Sequence, residues 1–267
     1  MSPADPAFVI TALVAFGLVV GSFLNVCIYR MPLGLSIVTP RSACPACGKF
    51  ISGFDNIPIL SYLILRGRCR ACGVHISMRY PLVEAANAAL YVLIYLRAGM
   101  GWHLPVYLVF GSAMLLITVI DLDHQVIPDE ITLPGILIAF LAASVLAPDP
   151  FSHALPLGWK GSIIGAATGF GLFYFVAWAG ALIFKQDAMG GGDIKLMAMV
   201  GALTGWRGVL MTTFIGSLTG SVIGIAVMRI KKTGPRTVLP FGPFLALGAM
   251  ASLLWGGELL KLWWPEQ

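Results

Sequence analysis

The chain has 267 residues, of which 58% are hydrophobic and only 11% charged, and its mean hydropathy is +0.88. Soluble proteins carry about 25% charged residues, so this composition excludes an ordinary soluble protein and indicates an integral membrane protein. The net charge of +5 does not indicate a nucleic-acid partner, because most basic residues lie in loops beside hydrophobic segments.

Apolar runs recur along the whole chain, and most approach the roughly 20 residues that a transmembrane helix needs. They predict an all-α, polytopic membrane protein with about eight transmembrane helices. The first run lacks the basic flank and cleavage site of a signal peptide, so we expect a retained helix. The sixth run is the shortest. The estimated ranges are 8–29, 82–97, 104–121, 131–147, 160–184, 194–205, 208–229 and 240–256.

Lysine and arginine are unequally divided between the two sides of this arrangement. Thirteen of the 17 fall in segments 30–81, 185–195 and 229–240, and four fall on the opposite side. The positive-inside rule therefore predicts that the richer side is cytoplasmic. Both chain termini then lie outside, and Asp121 and Asp193 both fall at cytoplasmic helix ends.

The long loop at about 30–81 contains two CxxC pairs separated by 21 residues. This spacing is typical of a small zinc-ribbon-like loop, in which four thiolates bind one structural Zn²⁺ and leave no open position for water. Gly48 and Gly73 follow the two pairs, where a tight turn is useful. A pair of disulfides and a redox CxxC are the alternatives, and reducing cytoplasm disfavours the disulfides. The candidate ligands are Cys44, Cys47, Cys69 and Cys72, whereas Cys27 is predicted to pack within the first helix.

Two aspartates stand at the ends of apolar runs. Asp121 follows a wholly apolar stretch, and a carboxylate at a helix centre costs roughly 2.5–3.5 kcal/mol on insertion scales, so it is a candidate functional residue. Asp193 follows Gly190, Gly191 and Gly192, which permit unusual backbone angles and the close approach of a peptide. Asp193 as an N-cap of the next helix is the structural alternative.

Two neighbouring carboxyl groups can share one proton and titrate as a unit. One then acts as general base on a water molecule while the other protonates the scissile carbonyl, which predicts an aspartic endopeptidase. Asp123 and His124 are expected in a solvated turn, and Asp129 is expected to cap the following helix. Lys195 is expected to mark the membrane boundary.

Several motifs together resemble the bacterial type IV prepilin leader peptidases, polytopic aspartic proteases of the GxGD class. The resemblance covers nearly the whole chain and implies that Asp121 and Asp193 are the catalytic pair. One departure is a longer connection at 147–158. The matching segments are G-S-F-L-N-V-C-I-Y-R-M-P from Gly21, the two CxxC pairs, N-I-P-I-L-S-Y-L from Asn56, R-Y-P-L-V-E from Arg79, D-L-D-H-Q-V-I-P-D from Asp121, G-G-G-D-I-K from Gly190 and P-F-G-P-F-L from Pro240.

The resemblance implies removal of a short basic leader from type IV prepilins and pseudopilins at the cytoplasmic face of the bacterial inner membrane. Many members also methylate the new N-terminal amine with S-adenosylmethionine, and the cysteine loop accompanies the bifunctional form, so both activities are expected. The sequence does not locate the methyl-donor site or indicate an oligomeric state. Membrane lipid is the expected surrounding partner.

The predicted organisation is an N-terminal region, 1–103, with two helices and the cysteine loop, followed by a membrane aspartic peptidase domain, 104–267. An ion-coupled transporter is the alternative from another class, because intramembrane acids and glycine-broken helices also mark ion pathways. We find no internal repeat between the two halves, which disfavours a transporter. A zinc-ribbon scaffold without chemistry would leave the glycine loop before Asp193 unexplained.

Overall fold

The computed structural model describes residues 5–152, 156–185, 189–231 and 239–263, without the side chains of Phe184, Lys231 and Trp263. Lys232 and Arg236, which contributed to the predicted orientation, lie outside the described residues. The helices are α1 (Pro6–Arg30), α2 (Leu60–Ile64), α3 (Arg79–Ala98), α4 (Leu104–His124), α5 (Asp129–Val145), α6 (Gly158–Phe184), α7 (Gly191–Lys231) and α8 (Gly242–Trp263).

The predicted all-α class is confirmed, since the described part of the chain contains helices, turns and isolated β-bridges but no named strand. Among the described residues, five helices are long and apolar enough to cross a membrane: α1, α4, α6, α7 and α8. The chain is thus a multi-pass membrane protein. It divides into two compact units, Met1–Gly99 and Met100–Gln267. Helix α2 was not predicted, because five residues are too few to produce a recognisable hydrophobic period.

Helices α1 and α3 of the first unit approach each other at glycines of α1. A methyl group on Gly17 would lie 2.7 Å from Cα of Ala88, and one on Gly21 would lie 2.6 Å from Cα of Glu84. Asn87 adds a hydrogen bond from its side-chain nitrogen to the carbonyl of Gly17, at 2.8 Å. Small residues and polar contacts are the usual means by which membrane helices associate.

The sixth and seventh predicted helices are the two parts of α7. Gly205 has φ 73° and ψ −179°, which interrupts the helix. A methyl group on Gly201 would lie 2.8 Å from Cγ2 of Val209, whereas eight residues of straight helix span about 12 Å. The chain therefore turns back at Gly205.

The first part of α7, residues 191–204, is a short and enclosed helix. Its length of about 21 Å is less than the roughly 30 Å of a bilayer core. The four consecutive residues from Leu196 to Met199 point in directions about 100° apart and are each at most 5% exposed, so this part of the helix is covered by protein around its circumference. It packs against α6, where a methyl group on Gly169 would collide with the backbone of Met197. Asp193 thus stands at the start of a rigidly held element.

Candidate active site and metal site

Asp121 lies in the last turn of α4 and is 6% exposed. Its Oδ2 accepts a hydrogen bond of 2.8 Å from the backbone N–H of Gly242, the first residue of α8. A methyl group on Gly242 would lie 2.7 Å from that same oxygen. Glycine is therefore required for this close approach, which gives the P-F-G-P segment a role that the sequence did not reveal.

The start of α8 provides a favourable place for the negative charge of Asp121. The first N–H groups of a helix have no partner within the helix, and the helix dipole is positive at this end. Gly242 directs one of these N–H groups at Oδ2, while no hydrogen bond to Oδ1 of Asp121 occurs within the described residues. One carboxylate oxygen is thus held, and the other can receive a proton.

Asp193 lies within the first turn of α7, and its backbone N–H donates to the carbonyl of Gly190 at 3.2 Å. The helix already begins at Gly191, so Asp193 does not occupy the capping position, and that alternative is wrong. The side chain is partly buried. Its carboxyl group lies within electrostatic range of Asp121.

The glycines before Asp193 have different surroundings. No atom lies within 4 Å of a methyl group built on Gly191, whereas a methyl group on Gly192 would lie 2.8 Å from Cβ of Ile127. Gly192 is therefore a packing contact with the segment that follows α4. Gly191 leaves open space beside Asp193, as expected if a peptide approaches there.

Asp129 and its neighbours differ from the sequence interpretation in two respects. Asp123 and His124 belong to the last turn of α4 rather than to the connecting turn, which begins at Gln125 with φ 54°. The prediction that Asp129 caps α5 is wrong, because Pro128 occupies the cap position and no side chain caps the helix. Instead, both carboxylate oxygens of Asp129 accept hydrogen bonds of 2.7 Å from Nζ of Lys195.

The four cysteines of the CxxC pairs form one cluster in the first unit, with all four sulfur atoms within 4.8 Å of one another. The sulfurs of Cys44 and Cys72 are 3.9 Å apart. A tetrahedral ion with Zn–S bonds of about 2.3 Å requires sulfurs roughly 3.8 Å apart, so the cluster can hold a metal ion. Cysteines 27, 44, 47, 69 and 72 are all free thiols, which argues against the disulfide alternative.

The two CxxC segments have the same backbone geometry. In each one, the first cysteine donates its N–H to the residue five positions on and accepts an N–H from the glycine four positions on, at 2.9 Å throughout. Gly48 and Gly73 have φ of 70° and 72°, a left-handed conformation that favours glycine. The tight turns predicted there are confirmed. Backbone N–H groups of Cys72 and Ala71 lower the pKa of Cys69 to about 7, which favours a thiolate.

Polar contacts brace the loop around this cluster. Arg70, inside the second CxxC segment, donates to both carboxylate oxygens of Asp55 at 2.7–3.0 Å. The hydrogen bonds from Arg70 hold the pKa of Asp55 below its usual range. Glu84 of α3 accepts a 2.7 Å hydrogen bond from the N–H of Ile59, which joins the loop to α3.

The fold and these two sites define a multi-pass membrane protein with a candidate acid–base pair and a four-thiolate cluster. Residues 108–225 match the type IV leader peptidase family, and residues 15–98 match the bacterial peptidase A24 N-terminal domain. The chain belongs to the type IV leader peptidase family, which confirms the resemblance found in the sequence.

Named relatives align over almost the whole chain. A prepilin leader peptidase/N-methyltransferase of Pseudomonas putida is 36% identical, covering 96% of this chain and 93% of that protein. The enzyme of the same description from Pseudomonas aeruginosa is 34% identical, covering 97% and 94%. A type 4 prepilin-like proteins leader peptide-processing enzyme of Escherichia coli is 38% identical, covering 89% and 90%. No solved structure matches the chain. The transporter alternative finds no support among these relatives.

Proposed function

We propose that this chain removes the basic leader from type IV prepilins and pseudopilins at the cytoplasmic face of a bacterial inner membrane. The peptidase domain is residues 104–267, and its catalytic pair is Asp121 and Asp193. The observation that carries the proposal is that these two carboxyl groups lie at the ends of two helices, within electrostatic range of each other. The names of the relatives support the substrate class.

The hydrogen-bond environment supports different roles for the two aspartates. The N–H of Gly242 and the positive end of α8 favour the carboxylate form of Asp121. Asp121 is therefore the general base that takes a proton from the attacking water, while Asp193 carries the shared proton and gives it to the scissile carbonyl oxygen. When the C–N bond breaks, the leaving amine takes the proton from Asp121, and Asp193 recovers its own from the collapsing intermediate.

The glycine loop supports access of an extended peptide to this pair. The open space at Gly191 lies two residues before Asp193, so a substrate backbone can approach without meeting a side chain from this loop. Leader removal needs such an approach, because the scissile carbonyl must come within hydrogen-bond reach, about 2.6–3.2 Å, of the acid.

N-methylation of the new N-terminal amine is the second proposed activity, supported by the printed names of the relatives. S-adenosylmethionine supplies an electrophilic methyl group when bound. The first unit contains a cavity of about 330 Å³ beside the Arg30 end of α1, within the range of small-molecule sites. Its lining includes Arg41 and Asn56, which can bind a carboxylate and a hydroxyl group, and the apolar side chain of Phe23. We take this cavity as the donor site.

Binding of the donor is testable without any turnover. Equilibrium dialysis of the purified protein against labelled S-adenosylmethionine should show one site, weakened about tenfold or more by Arg41→Ala, because a charge-assisted hydrogen bond is worth about 1.5–3 kcal/mol. Arg229→Ala, a matched removal of a basic residue in the second unit, should leave binding unchanged. Equal binding by the wild type and Arg41→Ala would place the donor elsewhere.

The four-cysteine cluster is proposed to hold a structural Zn²⁺. Four thiolates favour zinc over harder cations and occupy every position of its tetrahedron. The ion would fix residues of the loop between Cys44 and Cys72 without contributing an open coordination position to either reaction.

The proposed function is tested by incubating the purified protein in lipid vesicles with a prepilin and S-adenosylmethionine. Mass spectrometry of the product should show loss of the leader and the mass of one methyl group on the new N-terminus. An uncleaved prepilin would contradict the peptidase proposal. A cleaved but unmethylated pilin would contradict only the methyl-transfer proposal.

A further inference from the structure

We propose that Lys195 and Asp129 are positioning residues that set the separation of the two catalytic carboxyl groups. The inference rests on the proposed role of Asp121 and Asp193 as the catalytic pair. It assigns to Lys195 a function beyond that of a basic residue at the membrane boundary. Neither residue touches the reacting atoms in this proposal, since both act through the backbone that carries the aspartates.

The helices that carry the two aspartates are packed mainly against other helices rather than against each other. Helix α4, which carries Asp121, packs mainly against α8, while α7, which carries Asp193, packs against α6, α8 and α5. The separation of the two carboxyl groups is therefore transmitted through neighbouring elements rather than through an extensive α4–α7 interface. One of these neighbouring elements is α8, whose first residue, Gly242, donates a hydrogen bond to Asp121.

The other neighbouring element is the segment that leads from Asp121 into α5. Gln125 turns the chain with φ 54°, and Asp129 is the first residue of α5. Lys195 lies two residues after Asp193, near the start of α7. Its Nζ donates to both oxygens of Asp129 at 2.7 Å, so the ion pair joins the segment after one aspartate to the helix of the other.

A second contact beside the ion pair also holds the start of α7 against the segment before α5. Gly192 lies against Ile127, where an added methyl group would lie 2.8 Å from Cβ and 3.4 Å from the carbonyl oxygen of Ile127. Deeper along the same pair of helices, Gly135 lies directly against the side chain of Met199. The start of α7 is thus held against residues 127–129 by the Gly192–Ile127 contact and the Lys195–Asp129 ion pair. The α5–α7 interface continues along both helices to Gly135 and Met199.

The ion pair is more specific than the contacts expected of a lysine that only marks the membrane boundary. A lysine that only marks the boundary extends its ammonium group into the headgroup region, whereas this one contacts both oxygens of a single carboxylate. The side chains are 36% and 50% exposed, and an exposed pair contributes little to global stability. Its effect is therefore expected in catalysis, where a misplacement of about 1 Å can cost about a hundredfold in rate.

The test is a double-mutant cycle on kcat and KM for prepilin cleavage. Asp129→Asn and Lys195→Met should each lower kcat about ten- to a hundredfold and leave KM within about twofold. The exchanged pair, Asp129→Lys with Lys195→Asp, should recover most of the lost kcat, because the link is restored with opposite polarity. Lys195→Arg should remain close to the wild type, since it keeps the charge and the reach.

Glu130→Gln is the matched control, because it removes the same charge from the next, exposed residue of α5. It should leave kcat unchanged. Single variants with wild-type kcat, or an exchanged pair no better than the single variants, would overturn the inference. Asp121→Asn, assayed in parallel, separates the two claims: if it abolishes cleavage while Asp129→Asn does not slow it, only the positioning role fails. Full cleavage by Asp121→Asn would instead overturn the proposed function.

Discussion

The backbone N–H of Gly242 donates a 2.8 Å hydrogen bond to Oδ2 of Asp121, across 121 residues of sequence. This bond brings the start of α8 to the end of α4 and distinguishes the two aspartates, because it supports the charged form of Asp121. The two carboxyl groups would otherwise be equivalent candidates for the base. The assignment of Asp121 as the base therefore depends on a glycine.

Gly242→Ala should lower kcat for leader cleavage by about a hundredfold, the lower end of what loss of one active-site donor costs. The added methyl group would lie 2.7 Å from Oδ2 of Asp121, so the helix start and the carboxylate must separate. Gly171→Ala is the control, since no atom lies within 4 Å of its added methyl group. Equal kcat values for the two variants would show that the Gly242 contact does not matter for the reaction.

The neighbouring glycines Gly191 and Gly192 should respond differently to the same substitution. Gly192→Ala should lower kcat about tenfold or more, because its methyl group would collide with Ile127 and displace the start of α7. Gly191→Ala should mainly raise KM, because it fills the open space proposed for the substrate backbone. Steady-state kinetics on a prepilin peptide distinguish the two effects, and identical changes in both variants would refute the distinction.

Replacing any one of the four clustered cysteines by serine should release the metal. The four sulfurs lie within 4.8 Å of one another, and loss of one thiolate leaves an incomplete tetrahedron. Metal analysis of the purified wild type should find one zinc per chain, and each variant should hold much less. Cys27→Ser is the control, since Cys27 is buried in α1 outside the cluster and its variant should keep the metal. A zinc-free wild type would contradict the assignment.

The sequence predicted those features that depend on local pattern. Apolar runs indicated most helices to within about three residues, although α8 continues to Trp263 rather than ending near 256. The CxxC spacing identified four cysteines whose sulfurs lie within 4.8 Å of one another. Gly48 and Gly73 were expected in tight turns, and their positive φ values confirm this. These signals are local because helix length, turn conformation and knuckle spacing are each set within a few residues.

The features that the sequence did not predict depend on contacts between distant segments. Asp129 resembles an N-cap because it precedes an apolar run, but Lys195, 66 residues away, binds its carboxylate. The contact of Gly242 with Asp121 similarly requires knowledge of how α4 and α8 pack. Hydrophobic periodicity carries no information about which helix ends meet, so these partners emerge only in three dimensions.

Asp121 and Asp193 are proposed to perform the hydrolysis together. The most direct measurement is the single-turnover rate of prepilin cleavage by Asp121→Asn and Asp193→Asn, each shown to retain zinc and the thermal unfolding of the wild type. Both variants should lose at least about a thousandfold in rate, because removing a general acid or base costs about 10²–10⁴-fold and here also breaks the shared proton. Wild-type cleavage by either variant would contradict the dyad.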